Sequence, residues 1–171
     1  SKIRGRNALR AIIYLPALVS AVIMGTMYYL IFQYQQGALN TILSALGLQK
    51  VVWFNNPTTA VVIILLVNSF QFCGTSMIIY LAGLQGMDQS VVEAASLDGA
   101  TGWTKFWNIT MPMLMPAFST SVVLNLIGGL KLFDVIQVLT GGGPGYSTNS
   151  VSTLIAKMYI GNQSAGYAAA M

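Results

Sequence analysis

Charge-free stretches divide the chain. No Asp, Glu, Lys or Arg occurs in residues 11–49, 51–87 or 106–130. A membrane-crossing helix needs about 20 mostly apolar residues. In hydrocarbon every backbone polar group must pair within its own segment, which selects helix. The pattern therefore predicts spans over residues 11–32, 58–81 and about 111–138, a polytopic all-α bundle.

Finer patterning gives each span a face. Ala17, Ala21 and Gly25 recur every four residues in the first, a small-residue ridge suited to close helix packing. Pro16 is expected to kink that helix early. Ala117, Ser121, Asn125 and Gly129 form a second ridge in the third span. Between the first two spans, Leu39, Ile42, Leu43 and Leu46 predict a short interfacial helix that Gly47 ends. Asn55-Asn56-Pro57 reads as a helix start. The glycine-rich run 141–145 predicts a flexible outer loop. Residues 150–160 predict a further interfacial helix, and 168–171 the start of another apolar segment. The expectation is a fragment with three full spans and the beginning of a fourth.

Residues 88–112, DQSVVEAASLDGATGWTKFWNITMP, stand apart between two apolar spans. Ser90 and Glu93 have capping-box spacing and predict a helix starting at Ser90. Gly99 is placed to end it with a left-handed turn. Thr101 is placed to cap a second short helix carrying Trp103, Phe106 and Trp107. Ala94 and Ala95 have almost no side chain, so a partner can approach closely. Glu93 fits a local cap, a contact for a partner's basic side chain, or both. A plain amphipathic loop fits these local features as well.

Composition agrees with a membrane protein. The chain of 171 residues is 55% hydrophobic and only 7% charged, against roughly 25% charged in soluble domains. Its net charge is +4, but the basic residues form no patch interleaved with aromatics, which argues against nucleic acid. Lys2, Arg4, Arg6 and Arg10 crowd the start and place it on the cytoplasmic side. The loop 82–110 then lies inside, and 33–57 and 139–165 lie outside. The apolar run is longer than a signal-peptide core of ~7–15 residues. One cysteine, Cys73, and no histidine exclude an internal disulfide, a histidine metal site and histidine acid–base catalysis within this chain.

Asn68, Gln71 and Thr75 share one face of the second span, and Asn125 lies mid-span in the third. Polar side chains in spans usually face the bundle interior. Here they read either as a solute path, with Phe70 and Phe72 for stacking, or as interhelical hydrogen bonds. Lys131 and Asp134, at i and i+3, fit a structural ion pair, or a gating or binding role. The run 141–145 is not a phosphate loop, because no Lys-Ser/Thr follows it. Asn108-Ile109-Thr110 and Asn162-Gln163-Ser164 match glycosylation sequons, the first on the inner side.

The series Glu93-Ala94-Ala95, Gly99, Ile109 and Pro112 resembles the EAA signature of ABC import permeases, with Met111 where leucine is usual. Leu81-Ala82-Gly83-Leu84-Gln85, Leu97-Asp98-Gly99-Ala100 and Trp103-x2-Phe106-x2-Ile109-Thr110 resemble the carbohydrate-uptake subfamily. So do Phe133-Asp134-Val135-Ile136, Leu139-Thr140-Gly141-Gly142-Gly143-Pro144 and Gly166-Tyr167-Ala168-Ala169-Ala170. The matches cover most of the chain in the family's order and are most similar to the maltose-permease F-type subunit. The resemblance implies a type I ABC importer permease fold in a bacterial inner membrane. It makes 1–171 one permease domain, lacking its first helices and most of its last. It makes 82–110 the loop that docks on a separate ATP-binding subunit through Glu93, Ala94, Ala95, Asp98 and Gly99. It also implies a second permease subunit, an extracytoplasmic sugar-binding protein and a sugar substrate. The chain itself would carry no cofactor, metal or catalytic residue, ATP being bound by its partner.

Rival readings are an importer for another solute such as glycerol phosphate, and a membrane scaffold without a solute path. A secondary transporter or channel is expected to show coupling carboxylates within its spans, and Asp134 is the only candidate.

Overall fold

The computed structural model describes residues 5–161 and 165–170. Lys2, Arg4 and the sequon at 162–164 lie outside the described residues. All regular structure among those residues is helical.

The longest element, the fourth helix in chain order, is α4 (Pro57–Gln85). Its start follows from Asn56, whose Oδ1 accepts the Thr58 N–H at 2.9 Å, and from Pro57, which has no N–H to leave orphaned. Nothing interrupts the helix until Gly86, so it runs past the expected end. At ~1.5 Å per residue it is about 43 Å long, longer than a hydrocarbon core of ~30 Å.

The predicted first span is two helices, α1 (Arg6–Leu18) and α2 (Ala21–Phe32), bent by 93° at Val19-Ser20. Pro16 cannot donate to the turn before it and crowds it. Val19 is already extended, and its N–H turns back to the Pro16 carbonyl at 3.2 Å. Neither β-branched Val19 nor Ser20 favours helix strongly enough to bridge the defect. The Ala17–Gly25 ridge is therefore split across the elbow.

Helix α1 runs antiparallel to α4. A Cβ on Gly74 would lie 2.5 Å from the Ile13 carbonyl oxygen, and Gln71 reaches Val19. The first helix thus begins at the end of the molecule where α4 finishes. Beyond the elbow, α2 packs on α8 (Asp134–Leu139), with Gly25 against Val138. Ile63, Ile64 and Val67 of α4 form the buried core with Val135, Ile136 and Leu139 of α8, capped by Tyr28, Phe32, Trp53 and Phe54.

The expected interfacial helix is α3 (Ala38–Ala45), and Gly47 at φ +75° turns the chain after it. Asn40, fully buried, binds this segment together. Its Nδ2 donates to the Val51 carbonyl at 2.9 Å, and its Oδ1 accepts the Val51 N–H at 3.0 Å.

The third span starts earlier and ends earlier than the apolar pattern predicts. It comprises α6 (Gly102–Lys105), a π-helical turn at Phe106–Thr110 and α7 (Met111–Leu130). The wide turn sits just before Pro112. A wider ring there relieves the clash between the proline and the carbonyl one turn back. Trp103, Phe106 and Trp107 thus belong to the span and not to a separate helix. At the other end, the Ser152 hydroxyl donates to the Leu130 carbonyl at 3.2 Å and the Ser150 hydroxyl to that of Leu132. These bonds satisfy acceptors left free where α7 stops. Both serines flank or begin α9 (Val151–Ala156), which continues as a wide turn over Lys157–Gly161; α10 (Ala165–Ala170) follows.

Helices α4 and α7 are antiparallel and close. A Cβ on Gly83 would lie 2.7 Å from that of Ala117, and Asn125 bonds Ser76 at 3.2 Å. Three members of the second small-residue ridge, Ala117, Ser121 and Asn125, pack or bond at this interface. Only 28% of the most apolar window of α4 and 11% of that of Gly102–Leu130 is buried within the chain. Most of their apolar surface is left uncovered by the rest of the described residues.

Candidate functional site

Two regions carry chemistry, the loop 86–101 and a cavity between the middle of α4 and the C-terminal end of α7. The loop forms α5 (Gln89–Leu97). Its cap is not the predicted Ser90–Glu93 box. Asp88 is the N-cap, and its Oδ1 accepts the Ser90 N–H at 2.9 Å. The Ser90 side chain first, then this backbone bond, holds the Asp88 carboxyl below its ordinary value. Asp and Ser cap about equally well, so an Asp two residues upstream wins the boundary and frees Glu93 from that role.

The helix ends as Gly99 predicts. Gly99 has φ +81°, its N–H bonds the Ser96 carbonyl at 3.3 Å, and the Ala100 N–H bonds Ala95 at 3.0 Å. This is a Schellman turn, for which a residue without Cβ is best suited. Lys105 Nζ donates to Ser96 Oγ at 2.6 Å and brings a positive charge to the helix C-terminus. Ala95 is buried; Glu93, Ala94, Asp98 and Gly99 are exposed. Leu97 is 90% exposed and Trp103 74%. The five predicted loop residues thus fall on one short capped helix and its turn, with an apolar side chain standing free beside them. Trp103, Phe106 and Trp107 form an aromatic cluster, with centroids 5.5–5.9 Å apart, at the entry to the span. That is where an interfacial belt belongs.

The cavity has a volume of about 400 Å³, within the range of small-molecule sites. Asn68, Phe72, Thr75 and Ser76 of α4 line it, with Asn125 of α7, Lys131 and Asp134 beyond α7, and Ala21 at the start of α2. Asn68 and Asn125 are thereby brought together. Asn125 Nδ2 also donates to the Ser121 carbonyl at 2.7 Å. Gln71 is not among the lining residues. At ~100° per residue it points about 60° away from Asn68; it is buried, and its Nε2 donates to the Val19 carbonyl at 3.0 Å. Phe70 packs edge-on against Tyr28 and does not line the cavity. Lys131 and Asp134 both face it, and the ion pair expected between them is not formed among the described residues, because Lys131 closes α7 while Asp134 opens α8.

The glycine-rich loop is knit together where flexibility is expected. Thr148 Oγ1 donates to the Gly143 carbonyl at 2.7 Å and lies 2.8 Å from Thr140 Oγ1, which accepts the Gly142 N–H at 3.2 Å. Lys157 Nζ sits 5.1 Å over the Tyr146 ring. Neither this network nor the Asn40 bonds are foreseen from sequence, because side-chain bonds across a loop leave no periodic pattern. No group of His, Cys, Asp or Glu suited to a metal ion occurs among the described residues.

The geometry matches known permeases. A trehalose/maltose transport system permease protein of Thermococcus litoralis is 38% identical, covering 92% of this chain and 54% of the relative. A lactose transport system permease protein of Rhizobium radiobacter is 34% identical, over 94% of this chain and 53% of the relative. The chain spans about half the length of the curated relatives it matches. A bacterial alginate ABC transporter solved with an alginate pentasaccharide-bound periplasmic protein aligns with a TM-score of 0.79 at 30% identity, covering 96% of this chain and 58% of that one. The model of the family described as binding-protein-dependent transport system inner membrane component matches residues 1–171. The chain belongs to that family, the membrane permeases of ABC importers.

Proposed function

We propose that this chain is the translocating part of a permease subunit in an ATP-driven importer of mono- or oligosaccharides. It sits multi-pass in a bacterial cell membrane and is not itself an enzyme. The observation that carries this reading is the family match over the whole chain, together with relatives whose names specify trehalose/maltose, lactose and multiple sugars.

Residues 1–171 act as one permease domain, and 82–110 as its coupling loop on the cytoplasmic side. Glu93, Ala94, Ala95, Asp98 and Gly99 dock on an ATP-binding subunit. Their supports are the capped helix, the exposed Glu93, Ala94, Asp98 and Gly99, and the free Leu97 side chain; Ala95, buried within the chain, acts by letting the helix pack closely. Closure of the nucleotide-bound partner moves this loop and biases the permease between inward- and outward-facing states. Asn68 and Asn125 contact the solute, with Gln71 behind them. Amides beside Phe72 suit a sugar, which offers hydroxyls for bonding and a C–H face for stacking. A second permease subunit, a second ATP-binding subunit and an extracytoplasmic sugar-binding protein complete the assembly.

The test is reconstitution of the full assembly in proteoliposomes with a panel of labelled sugars. Uptake that requires internal ATP and the binding protein is expected. Sugar entry independent of both, or none for any sugar, contradicts the reading.

A further inference from the structure

The elbow between α1 and α2 leaves a backbone carbonyl inside the bundle. Val19 is extended, so its oxygen has no place in a helical ladder. An unpaired carbonyl in such surroundings is costly. The bond that satisfies it comes from Gln71, 52 residues away, whose Nε2 lies 3.0 Å from it. Gln71 is 2% exposed, and its Oε1 has no partner. A buried amide with one end unsatisfied costs stability that a leucine there would not incur. Among the described residues, the donation to Val19 is the one compensating polar contact the side chain makes.

The bond also sits at a junction. One turn along α4, Gly74 receives the α1 backbone at Ile13 and Tyr14. On either side of Gln71, Asn68 and Thr75 face the cavity, and Ala21, two residues past Val19, forms part of the same wall. We propose that Gln71 is a positioning residue for solute passage. By holding the Val19 carbonyl it fixes the elbow, and the elbow sets where α2 closes the cavity against Asn68 and Thr75. This rests on the transport reading above. Gln71 acts through Val19 and need not touch the solute.

Two readouts on the full transporter test it. With Cys73→Ser as background, spin labels at Leu9→Cys on α1 and Leu30→Cys on α2, both exposed positions, report the elbow by pulsed dipolar spectroscopy. Gln71→Leu is expected to broaden or shift that distance distribution and to raise the KM for sugar uptake about tenfold, the effect of one lost buried bond. The KM is measured per assembled complex, so a loss of assembly alone does not mimic it. Gln71→His keeps an N–H donor and is expected to restore both; where the leucine variant does not assemble, Gln71→Asn, too short to reach Val19, takes its place. An unchanged distance distribution in the donor-less variant overturns the elbow clamp. A changed distribution with unchanged KM overturns its role in shaping the cavity. If the unmodified complex takes up no sugar, the transport reading fails, and the spin-label distances still judge the clamp.

Discussion

Gly74 and Ile13 bring α1 and α4 into close approach, with the Ile13 carbonyl oxygen 2.5 Å from where a Cβ on Gly74 would stand. The obstacle is backbone on both sides, so no side chain can rotate away. Gly74→Ala is expected to cost about 1–3 kcal/mol through overpacking, read as a lower thermal midpoint of the detergent-solubilised complex. Gly129→Ala, where nothing lies within 4 Å, is the control and should leave the midpoint unchanged or slightly raised. Equal losses at both positions would show that the close approach is not what matters.

Gly99 separates conformation from space. Its φ is +81°, yet nothing lies within 4 Å of an added Cβ. Gly99→Ala should therefore strain the turn by ~1–2 kcal/mol without a clash. Gly99→Pro should remove the turn, since proline cannot adopt positive φ. Co-purification of the ATP-binding subunit is expected to weaken with alanine and to vanish with proline or with Glu93→Lys. Full retention in all three removes the coupling role from this loop.

Asp88 gives α5 a pH signature. Its carboxyl is held below the ordinary value of 3.8 by Ser90. A depressed carboxylate contributes stability that is complete above its unfolded pKa and disappears as pH falls through its folded pKa. The cap therefore persists at neutral and mildly acid pH and fails only below the usual carboxylate range. Hydrogen exchange at Ser90 is expected to rise several-fold in Asp88→Ala. It should stay slow in Asp88→Asn, which keeps an acceptor, and lose its acid dependence there. The same exchange in Asp88→Ala as in the parent would assign the cap elsewhere.

Asn68 and Asn125 are expected to differ. Asn68 faces the cavity and bonds nothing else among the described residues, whereas Asn125 also ties Ser76 and Ser121. Asn68→Leu should raise the KM for sugar roughly tenfold, the loss of one good polar contact, with assembly intact. Asn125→Leu should lower both uptake and the thermal midpoint. Normal uptake by Asn68→Leu would reduce that residue to packing.

The second span was legible because long apolar runs have one solution in lipid, and Asn56-Pro57 marks its start in local chemistry. Gly99 was legible for the same reason, since its turn is decided by adjacent residues. The 93° elbow was not, because Pro16 signals a defect without saying how far the chain turns or what stabilises the turn; Gln71 supplies that from another helix. The boundaries of the third span were misjudged at both ends. Trp103 and Phe106 look interfacial yet continue the helix, while Val135 and Ile136 look like span yet pack as a separate short helix on α2 and α4. The spacing that put Asn68, Gln71 and Thr75 on one face was too coarse to divide cavity from elbow.

Leu97 offers the most direct test, being 90% exposed on the helix argued to dock on the ATPase. A photo-cross-linking amino acid placed there in the intact transporter is expected to capture the ATP-binding subunit, with a yield that changes when ATP is bound. Capture of only extracytoplasmic protein or lipid, or of the ATPase with no nucleotide dependence, contradicts the claim that this loop carries its movement into the membrane.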